Sequence, residues 1–255
     1  MRSLVLILAV PLAGCGDVTA TGAGAARNAA PAPQAALPPG DTQLTASVVE
    51  GGGRDVRLGW ATEAPDAADR AWFVEFSLND EPDFSVLTIV PPRTRSFVHP
   101  AVARDTRFNY RVRPAIGAAS AVVHIATSQP TPASPAIERE GPLDDGAAPA
   151  RGAIVASLRD SATRADAAPD GLRVSATSPT SVALRWRDRA GDEDGYLVEV
   201  SASPESGYLV CALLPAGATS FHKASLPPLT TCFFRVRAFA HGPPSNVATA
   251  MVASR

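Results

Sequence analysis

The sequence predicts an all-β protein that contains two β-sandwich domains in tandem. The chain repeats itself at a shift of 124 residues, and each copy contains short segments in which apolar and polar side chains alternate. Alternation with a period of two residues is typical of strands that bury one face. The 255 residues also include 24 Pro and 19 Gly, which favour turns and linkers over long helices.

The N-terminal segment has the pattern of an export signal. Arg2 precedes the apolar run 3–13, which is too short to span a bilayer. The run ends in Leu12-Ala13-Gly14-Cys15, which resembles the bacterial lipobox. The resemblance implies that residues 1–14 are a lipoprotein signal peptide and that Cys15 carries acyl chains such as palmitate, which anchor the protein to a membrane. An ordinary secretory signal with an incidental cysteine is the alternative.

The lipobox resemblance also implies a location in the bacterial cell envelope. An aspartate directly after the lipidated cysteine retains such proteins in the inner membrane. Gly16 stands at that place and Asp17 follows it, so the sequence favours the outer membrane over the inner membrane.

Two segments are predicted to be disordered linkers. Residues 15–40 are rich in Ala, Gly and Pro and have too few large apolar side chains to form a core, which predicts a tether. Residues 128–168 combine mixed charges with five prolines, which predicts an extended, flexible linker. Within this linker, the spacing of Ile154, Val155 and Leu158 predicts one or two helical turns.

The internal repeat aligns residues 72–114 with residues 196–238 without a gap. The identical pairs include Val74/Val198, Glu75/Glu199, Ser77/Ser201, Pro91/Pro215, Phe97/Phe221, Thr106/Thr230, Arg111/Arg235 and Arg113/Arg237. The two copies are therefore the same kind of domain.

Three strands are clearest in the second copy. Their inward residues are Val182, Leu184 and Trp186, then Tyr196, Val198 and Val200, and finally Phe234, Val236 and Ala238. A turn-rich segment at 191–195 separates the first two strands, and another at 241–244 follows the third. Short strands with turns at this spacing predict an antiparallel sandwich.

Both copies resemble fibronectin type III domains of the bacterial extracellular kind. The second copy carries Leu184-Arg185-Trp186, Gly195-Tyr196-Leu197-Val198-Glu199-Val200-Ser201 and Phe233-Phe234-Arg235-Val236-Arg237, and the first copy carries Leu58-Gly59-Trp60, Trp72-Phe73-Val74-Glu75-Phe76-Ser77 and Phe108-Asn109-Tyr110-Arg111-Val112-Arg113. The resemblance implies two immunoglobulin-like sandwiches, at residues 41–127 and 169–255. The tyrosine of the family's corner motif is replaced by Phe108 in one copy and by Cys232 in the other.

The two remaining cysteines fall at positions that the family fills with inward-pointing residues. At the repeat shift, Cys211 corresponds to Leu87 and Cys232 to Phe108, so two cysteines together replace an apolar pair. An exported compartment is oxidising, which predicts a structural disulfide between Cys211 and Cys232. A pair of buried thiols is the alternative.

The residue pattern contains no known catalytic, metal or cofactor motif, so we expect neither an enzyme nor a metal or cofactor site. The four histidines are scattered: His99, His124, His222 and His241. The run Asp192-Glu193-Asp194-Gly195 lacks the ligand spacing of a calcium loop. The net charge of −2 argues against nucleic acid as a partner. The sequence has no Arg-Gly-Asp motif, so nothing in it indicates integrin-type adhesion.

One surface is a candidate for binding. By alternation Leu197 and Phe233 point outward on paired strands, beside Arg235 and Arg237, and an exposed apolar patch can mark a binding site. Phenylalanine covered by arginine stems is the alternative. The pairs Glu75–Arg111 and Glu199–Arg235 are expected to be solvated ion pairs on the same faces.

The sequence thus predicts a non-enzymatic, lipid-anchored envelope protein that displays two modules. Its partner would be another envelope protein or a polysaccharide. Two alternatives are a passive spacer without a ligand and an accessory subunit of a secreted glycan-degrading system.

Overall fold

The computed structural model describes residues 6–7, 42–49, 53–62, 70–131, 139–143 and 151–254. In this part of the chain every regular element is a β-strand, and no helix of the length and apolarity needed to cross a membrane is found. The strands are β1 (Leu6–Ile7), β2 (Thr42–Val48), β3 (Val56–Thr62), β4 (Arg70–Leu78), β5 (Ser85–Val90), β6 (Ser96–His99), β7 (Arg107–Ile116), β8 (Val123–Ala126), β9 (Arg151–Ala156), β10 (Asp170–Ser178), β11 (Ser181–Ala190), β12 (Gly195–Ser201), β13 (Leu209–Pro215), β14 (Ser220–Lys223), β15 (Thr231–His241) and β16 (Ala248–Met251).

The strands form two immunoglobulin-like β-sandwiches. In sandwich 1 the sheet β2-β3-β6 covers the sheet β16-β7-β4-β5. In sandwich 2 the sheet β10-β11-β14 covers the sheet β8-β15-β12-β13, and β1 pairs with the outer edge of β13. Each core contains the tryptophan that the repeat predicts on the second strand, Trp60 or Trp186, and an aromatic neighbour on the next strand.

The two sandwiches exchange their last strands. Strand β8, which follows the first copy of the repeat, pairs with β15 of sandwich 2. Strand β16, which follows the second copy, pairs with β7 of sandwich 1. The two pairings have the same register, because His124 lies opposite Phe233 and Thr249 lies opposite the repeat equivalent of Phe233, Asn109.

Because of this exchange, the two sandwiches do not correspond to the two consecutive domains that the sequence predicts. The described strands of sandwich 1 lie between residues 42 and 116 and are completed by β16, and those of sandwich 2 other than β1 lie between residues 119 and 241. The predicted boundaries at residues 127 and 169 therefore do not follow the strand pairing. Consecutive boundaries assume that each last strand folds back onto its own neighbour, whereas both strands cross to the other sandwich.

The segments that lead into β8 and β16, here called the first and second crossing, are held by matching hydrogen bonds. In the first crossing, the Ser120 backbone N–H donates to the Val236 carbonyl (2.8 Å) and the Ser120 Oγ accepts from the Val236 N–H (3.1 Å). In the second crossing, Ser245 makes the same two bonds to Val112 (2.8 and 3.0 Å). A Cβ on Gly117 would lie 1.8 Å from the Ala238 carbonyl oxygen, so only glycine fits there.

The described parts of the predicted linker are built into sandwich 2. Strand β9 pairs in parallel with β11, which corrects the predicted helical turns at residues 154–158. Gly141 forms a bridge to His222, and Glu140 pairs with Lys223 on β14. These contacts satisfy the edges of β11 and β14. Residues 132–138 and 144–150 lie outside the described residues.

Candidate interaction surface

The outer faces of the two larger sheets pack against each other. Strands β7 and β15 pair at their ends, where Ile116 lies opposite Ala240. Beside this pairing, the rings of Phe73 and Phe239 lie 5.3 Å apart and both contact His241. The full cluster is Ala71, Phe73, Ile89, Ala115, Leu197, Val210 and Phe239, with Val86 and Leu213 partly buried at its margin.

This contact has approximate two-fold symmetry. The repeat shift relates Phe73 to Leu197 and Ala115 to Phe239, and all four side chains are in the cluster. The central pair, Ile116 and Ala240, is also related by the shift. The two halves of one chain therefore meet as the subunits of a symmetric dimer do.

A buried glutamate lies at the edge of this contact in each sandwich. In sandwich 1 the Glu75 carboxylate accepts hydrogen bonds from Arg111 Nε (2.6 Å) and from Arg113 Nε and Nη2 (3.0 and 2.7 Å). The Arg111 guanidinium also stacks over the Phe84 ring at 4.2 Å. Glu75 is only 1% exposed, so its charge is neutralised by the two arginines and not by water.

Sandwich 2 repeats this cluster with one of its arginines, Arg237, more deeply buried. Glu199 accepts from Arg235 and from Arg237 Nε (3.1 Å), and Arg235 stacks over the Tyr208 ring at 4.0 Å. Arg237 is 2% exposed, and its Nη1 donates to the Gly117 carbonyl of the first crossing (2.9 Å). The prediction of solvated ion pairs is wrong for both clusters. Alternation correctly places these side chains on the outer face of their own sandwich. In each case, however, the other sandwich covers part of that face.

The structure separates the four predicted surface residues into two groups. Leu197 and Arg237 are buried in the contact between the sandwiches and are not accessible to a partner. Phe233 and Arg235 lie further along β15 and stay half-buried. The Phe233 ring lies 5.7 Å from the exposed His124 on the exchanged strand β8. We call His124, Phe233 and Arg235, together with the buried Tyr208 ring that supports Arg235, the aromatic patch.

The predicted disulfide is absent from the structure. Cys211 and Cys232 are free and fully buried in the core of sandwich 2. They lie on β13 and β15, which flank β12 on opposite sides. Two strand spacings separate their Cα atoms by at least about 9 Å, and a disulfide needs less than about 7 Å. Burial raises the pKa of Cys211 to about 12 and also raises the pKa of Cys232, so both remain thiols.

Two of the four histidines, His99 and His222, have structural contacts. The His99 Nδ1 lies 2.9 Å from the Tyr110 hydroxyl, and burial lowers the pKa of His99. The His222 ring bridges the Arg139 carbonyl (2.8 Å) and the Thr177 hydroxyl (2.9 Å). The described residues contain no cluster of three His, Cys, Asp or Glu side chains able to hold a metal ion.

The acidic run after β11 orders the neighbouring loop. Asp192 accepts from the Ser157 hydroxyl (2.6 Å) and the Leu158 N–H (2.7 Å), and Asp194 pairs with Arg159 (3.1 Å). These bonds position the loop next to His241, where a cavity of about 210 Å³ lies between the sandwiches. The cavity is smaller than a usual ligand pocket.

No family model and no curated protein matches this chain. Among solved structures it is similar to the FN1–FN3 domains of chicken CNTN1, with 14% identity, a TM-score of 0.25, and coverage of 86% of this chain and 68% of that one. It is also similar to a segment of two fibronectin type III domains from chicken tenascin, with 14% identity, a TM-score of 0.27, and coverage of 84% and 100%.

Sequence reasoning placed Leu197 on an exposed binding surface and missed that it joins the two sandwiches. Phe73, Leu197 and Phe239 all point outward by alternation, and a row of large apolar residues on an outer face is itself a sign that something covers it. The aromatic partners of the arginines, Phe84 and Tyr208, are a matched pair of the repeat and carry the same signal. Cys15 and the tether lie outside the described residues.

Proposed function

We propose that this protein is a non-enzymatic, lipid-anchored component of the bacterial cell envelope that binds another envelope protein or polysaccharide through the aromatic patch. The observation that carries the proposal is the asymmetry of the two sandwiches at this place. Sandwich 2 presents Phe233 beside His124, whereas sandwich 1 has Asn109 and Thr249 at the equivalent positions. Aromatic and arginine side chains are enriched at binding sites.

The surroundings of the patch support a binding role. The contact between the sandwiches ends before Phe233, so this part of the sheet is not covered by sandwich 1. The Arg235 guanidinium is fixed by both Glu199 and the Tyr208 ring. A partner would therefore meet preorganised side chains, which lowers the entropy cost of binding.

The anchoring part of the proposal rests on the sequence Leu12-Ala13-Gly14-Cys15. Two or more acyl chains hold a protein stably on a membrane, whereas one binds reversibly. The proposal of a non-enzymatic role is supported by the histidine contacts, since His99 and His222 are occupied by structural hydrogen bonds.

The test is a crosslinked pulldown from native membranes, read by mass spectrometry. The Phe233→Glu variant should lose a partner that the wild-type protein and the Asn109→Glu variant both keep. Asn109 is the matched control because it occupies the same position in sandwich 1. A partner set that is unchanged in Phe233→Glu would reject the patch, and an empty pulldown together with no binding to isolated envelope polysaccharide would favour a spacer. Absence of lipid on Cys15 would reject the anchor.

A further inference from the structure

The outer edge of β8 carries backbone groups that no other strand pairs with. The Thr127 N–H, directly after β8, donates to the Thr230 carbonyl (2.9 Å), so the backbone of Thr127 faces β15. In an antiparallel pair the backbone groups of successive residues face alternate sides of the strand. The N–H and C=O groups of His124 and Ala126 therefore point away from β15. Both residues are exposed, and within the described part of the chain no hydrogen bond reaches these groups.

This edge also lacks the features that usually protect the edge of a sheet. Charged side chains, prolines and bulges prevent an edge strand from pairing with another chain. Strand β8 pairs with β15 without a bulge, and the nearest Lys, Arg, Asp, Glu or Pro along the chain are Pro114 and Pro130. The edge of β8 is therefore free to pair with a further strand.

The equivalent edge of sandwich 1 is tied to the opposite sheet. Just before β16, the Asn246 Oδ1 accepts from the Leu44 N–H (2.7 Å) and the Asn246 Nδ2 donates to the Leu44 carbonyl (3.0 Å) of β2. Asn246 follows Ser245 of the second crossing, and Ala121 follows Ser120 of the first crossing. An alanine side chain cannot make these two bonds, so β8 is left open where β16 is secured.

Unpaired backbone groups at strand spacing are complementary to another strand. The same sheet accepts an extended segment at its other edge, where β1 pairs with β13. We propose that the edge of β8 binds an extended segment of a partner protein as an added β-strand. This inference rests on the binding role proposed for the aromatic patch and names the class of partner. A polypeptide fits this edge, whereas a polysaccharide lacks the regularly spaced N–H and C=O groups of a strand.

The aromatic patch lies directly beside this edge. Phe233 is opposite His124, and their rings are 5.7 Å apart. A residue of the added strand opposite His124 places its side chain on the same face, next to the His124 ring. Arg235 on this face is already paired with Glu199, so the face does not select an acidic segment. The bound segment is therefore expected to carry apolar side chains at every second position.

The first test measures amide hydrogen exchange of the purified full chain in detergent. The probe is an acetylated and amidated peptide of about nine residues, in which Val and Thr alternate between terminal lysines. Saturating peptide should slow exchange at His124 and Ala126 by at least about tenfold. The same peptide N-methylated at every residue has no N–H donors and should give no protection. Absence of protection at about 1 mM peptide, or equal protection by both peptides, overturns the proposal.

The second test removes the outward N–H group. His124→Pro lacks this donor but keeps the N–H groups that face β15, and proline is tolerated on edge strands. This variant should bind the probe at least about tenfold more weakly than wild type. Thr249→Pro changes the same position in sandwich 1 and should bind like wild type. Unchanged binding by His124→Pro would contradict strand pairing at this edge.

The membrane pulldown separates this inference from the proposed function. A partner that is lost with Phe233→Glu but kept with His124→Pro would support the aromatic patch and reject strand pairing as its mode of binding. Protection of the β8 edge by the probe, together with a partner set unchanged in Phe233→Glu, would support the edge and reject the patch. Loss of the same protein partner in both variants is the expected result.

Discussion

At the residue scale, the main feature is the carboxylate held between two guanidinium groups in each sandwich. An isolated buried charge is very costly, but Glu75 and Glu199 each have two arginine partners. The two clusters differ in the exposure of the arginines. Arg111 and Arg113 reach water, whereas Arg237 is almost fully buried. The cluster in sandwich 2 therefore has less freedom to adjust to a lost partner.

We expect Glu199→Gln to lower the free energy of unfolding by about 3–5 kcal/mol, because Arg237 is then buried without a counter-charge. Glu75→Gln should cost less, since its two arginines can turn towards water. The exposed Glu205→Gln is the control and should stay within about 0.5 kcal/mol of wild type. Urea unfolding measures all three, and equal losses for Glu199 and Glu75 would contradict the argument.

We expect His241 to make the junction sensitive to acid. Burial, followed by the nearby Arg113, lowers the pKa of His241 to about 4, although Asp194 acts in the opposite direction. As the pH falls below the ordinary value of about 6.5, the unfolded chain takes up this proton before the folded chain does. We expect a loss of up to about 3 kcal/mol of stability between pH 6.5 and 4, on top of any loss from carboxylates.

The measurement is urea unfolding of wild type and His241→Gln at pH 7 and pH 4.5. The glutamine variant should show a smaller decrease in stability on acidification, because the group that titrates is gone. Parallel decreases in the two proteins would exclude His241 as the source.

At the element scale, alternation predicts the direction of a side chain but not what lies beyond it. It correctly places Trp60, Trp186 and Tyr196 in the cores. It also correctly directs Leu197 away from its own core, and the surface prediction fails only because sandwich 1 covers that face. Contact between two outer faces depends on the arrangement of whole sheets, which a pattern of period two does not contain.

The exchange of β8 and β16 is hidden from the sequence for a related reason. Because the two copies are repeats, each of β7 and β15 offers a similar edge to either last strand. The choice is made by contacts that differ between copies. The Asn246 side-chain amide bonds to both the backbone N–H and the carbonyl of Leu44 in sandwich 1. The Thr127 hydroxyl donates to the Pro227 carbonyl in sandwich 2.

A pair of cysteines distinguishes the exchanged from the consecutive arrangement. Asn109→Cys with Thr249→Cys should form an intramolecular disulfide, because these residues are opposite each other on β7 and β16 and paired Cα atoms lie about 5 Å apart. The control pair is Asn109→Cys with His124→Cys, which the consecutive arrangement would join and the exchange separates. Mass spectrometry of peptides from the oxidised monomer identifies the linked pair, and a disulfide only in the control would reject the exchange.

At the scale of the whole molecule, the two sandwiches form one unit. They share paired strands, exchanged strands and an apolar cluster around Phe73 and Phe239. The arrangement resembles a strand-exchanged dimer whose two subunits are joined in one chain. The outer faces near the junction are used for this contact, so they are not available to a partner, whereas the far ends and the aromatic patch remain accessible.

Removal of the C-terminal strand should damage the sandwich that begins the chain. We expect a chain ending at Pro244 to lose hydrogen-exchange protection in β4 and β7, because β7 no longer has β16 beside it. Strands β12 and β15 should stay protected, since β8 still completes their sheet. The opposite pattern, with loss of protection in sandwich 2, would mean that β8 pairs with β7 instead of β15.

The position of β16 reverses the order of folding relative to the order of synthesis. A ribosome makes most of sandwich 1 first, yet the strand that completes it emerges only after all of sandwich 2. The strand that completes sandwich 2, β8, is synthesised early, so sandwich 2 can close as soon as β15 is available. A chain threaded through a membrane from its N-terminus would therefore finish its second sandwich before its first.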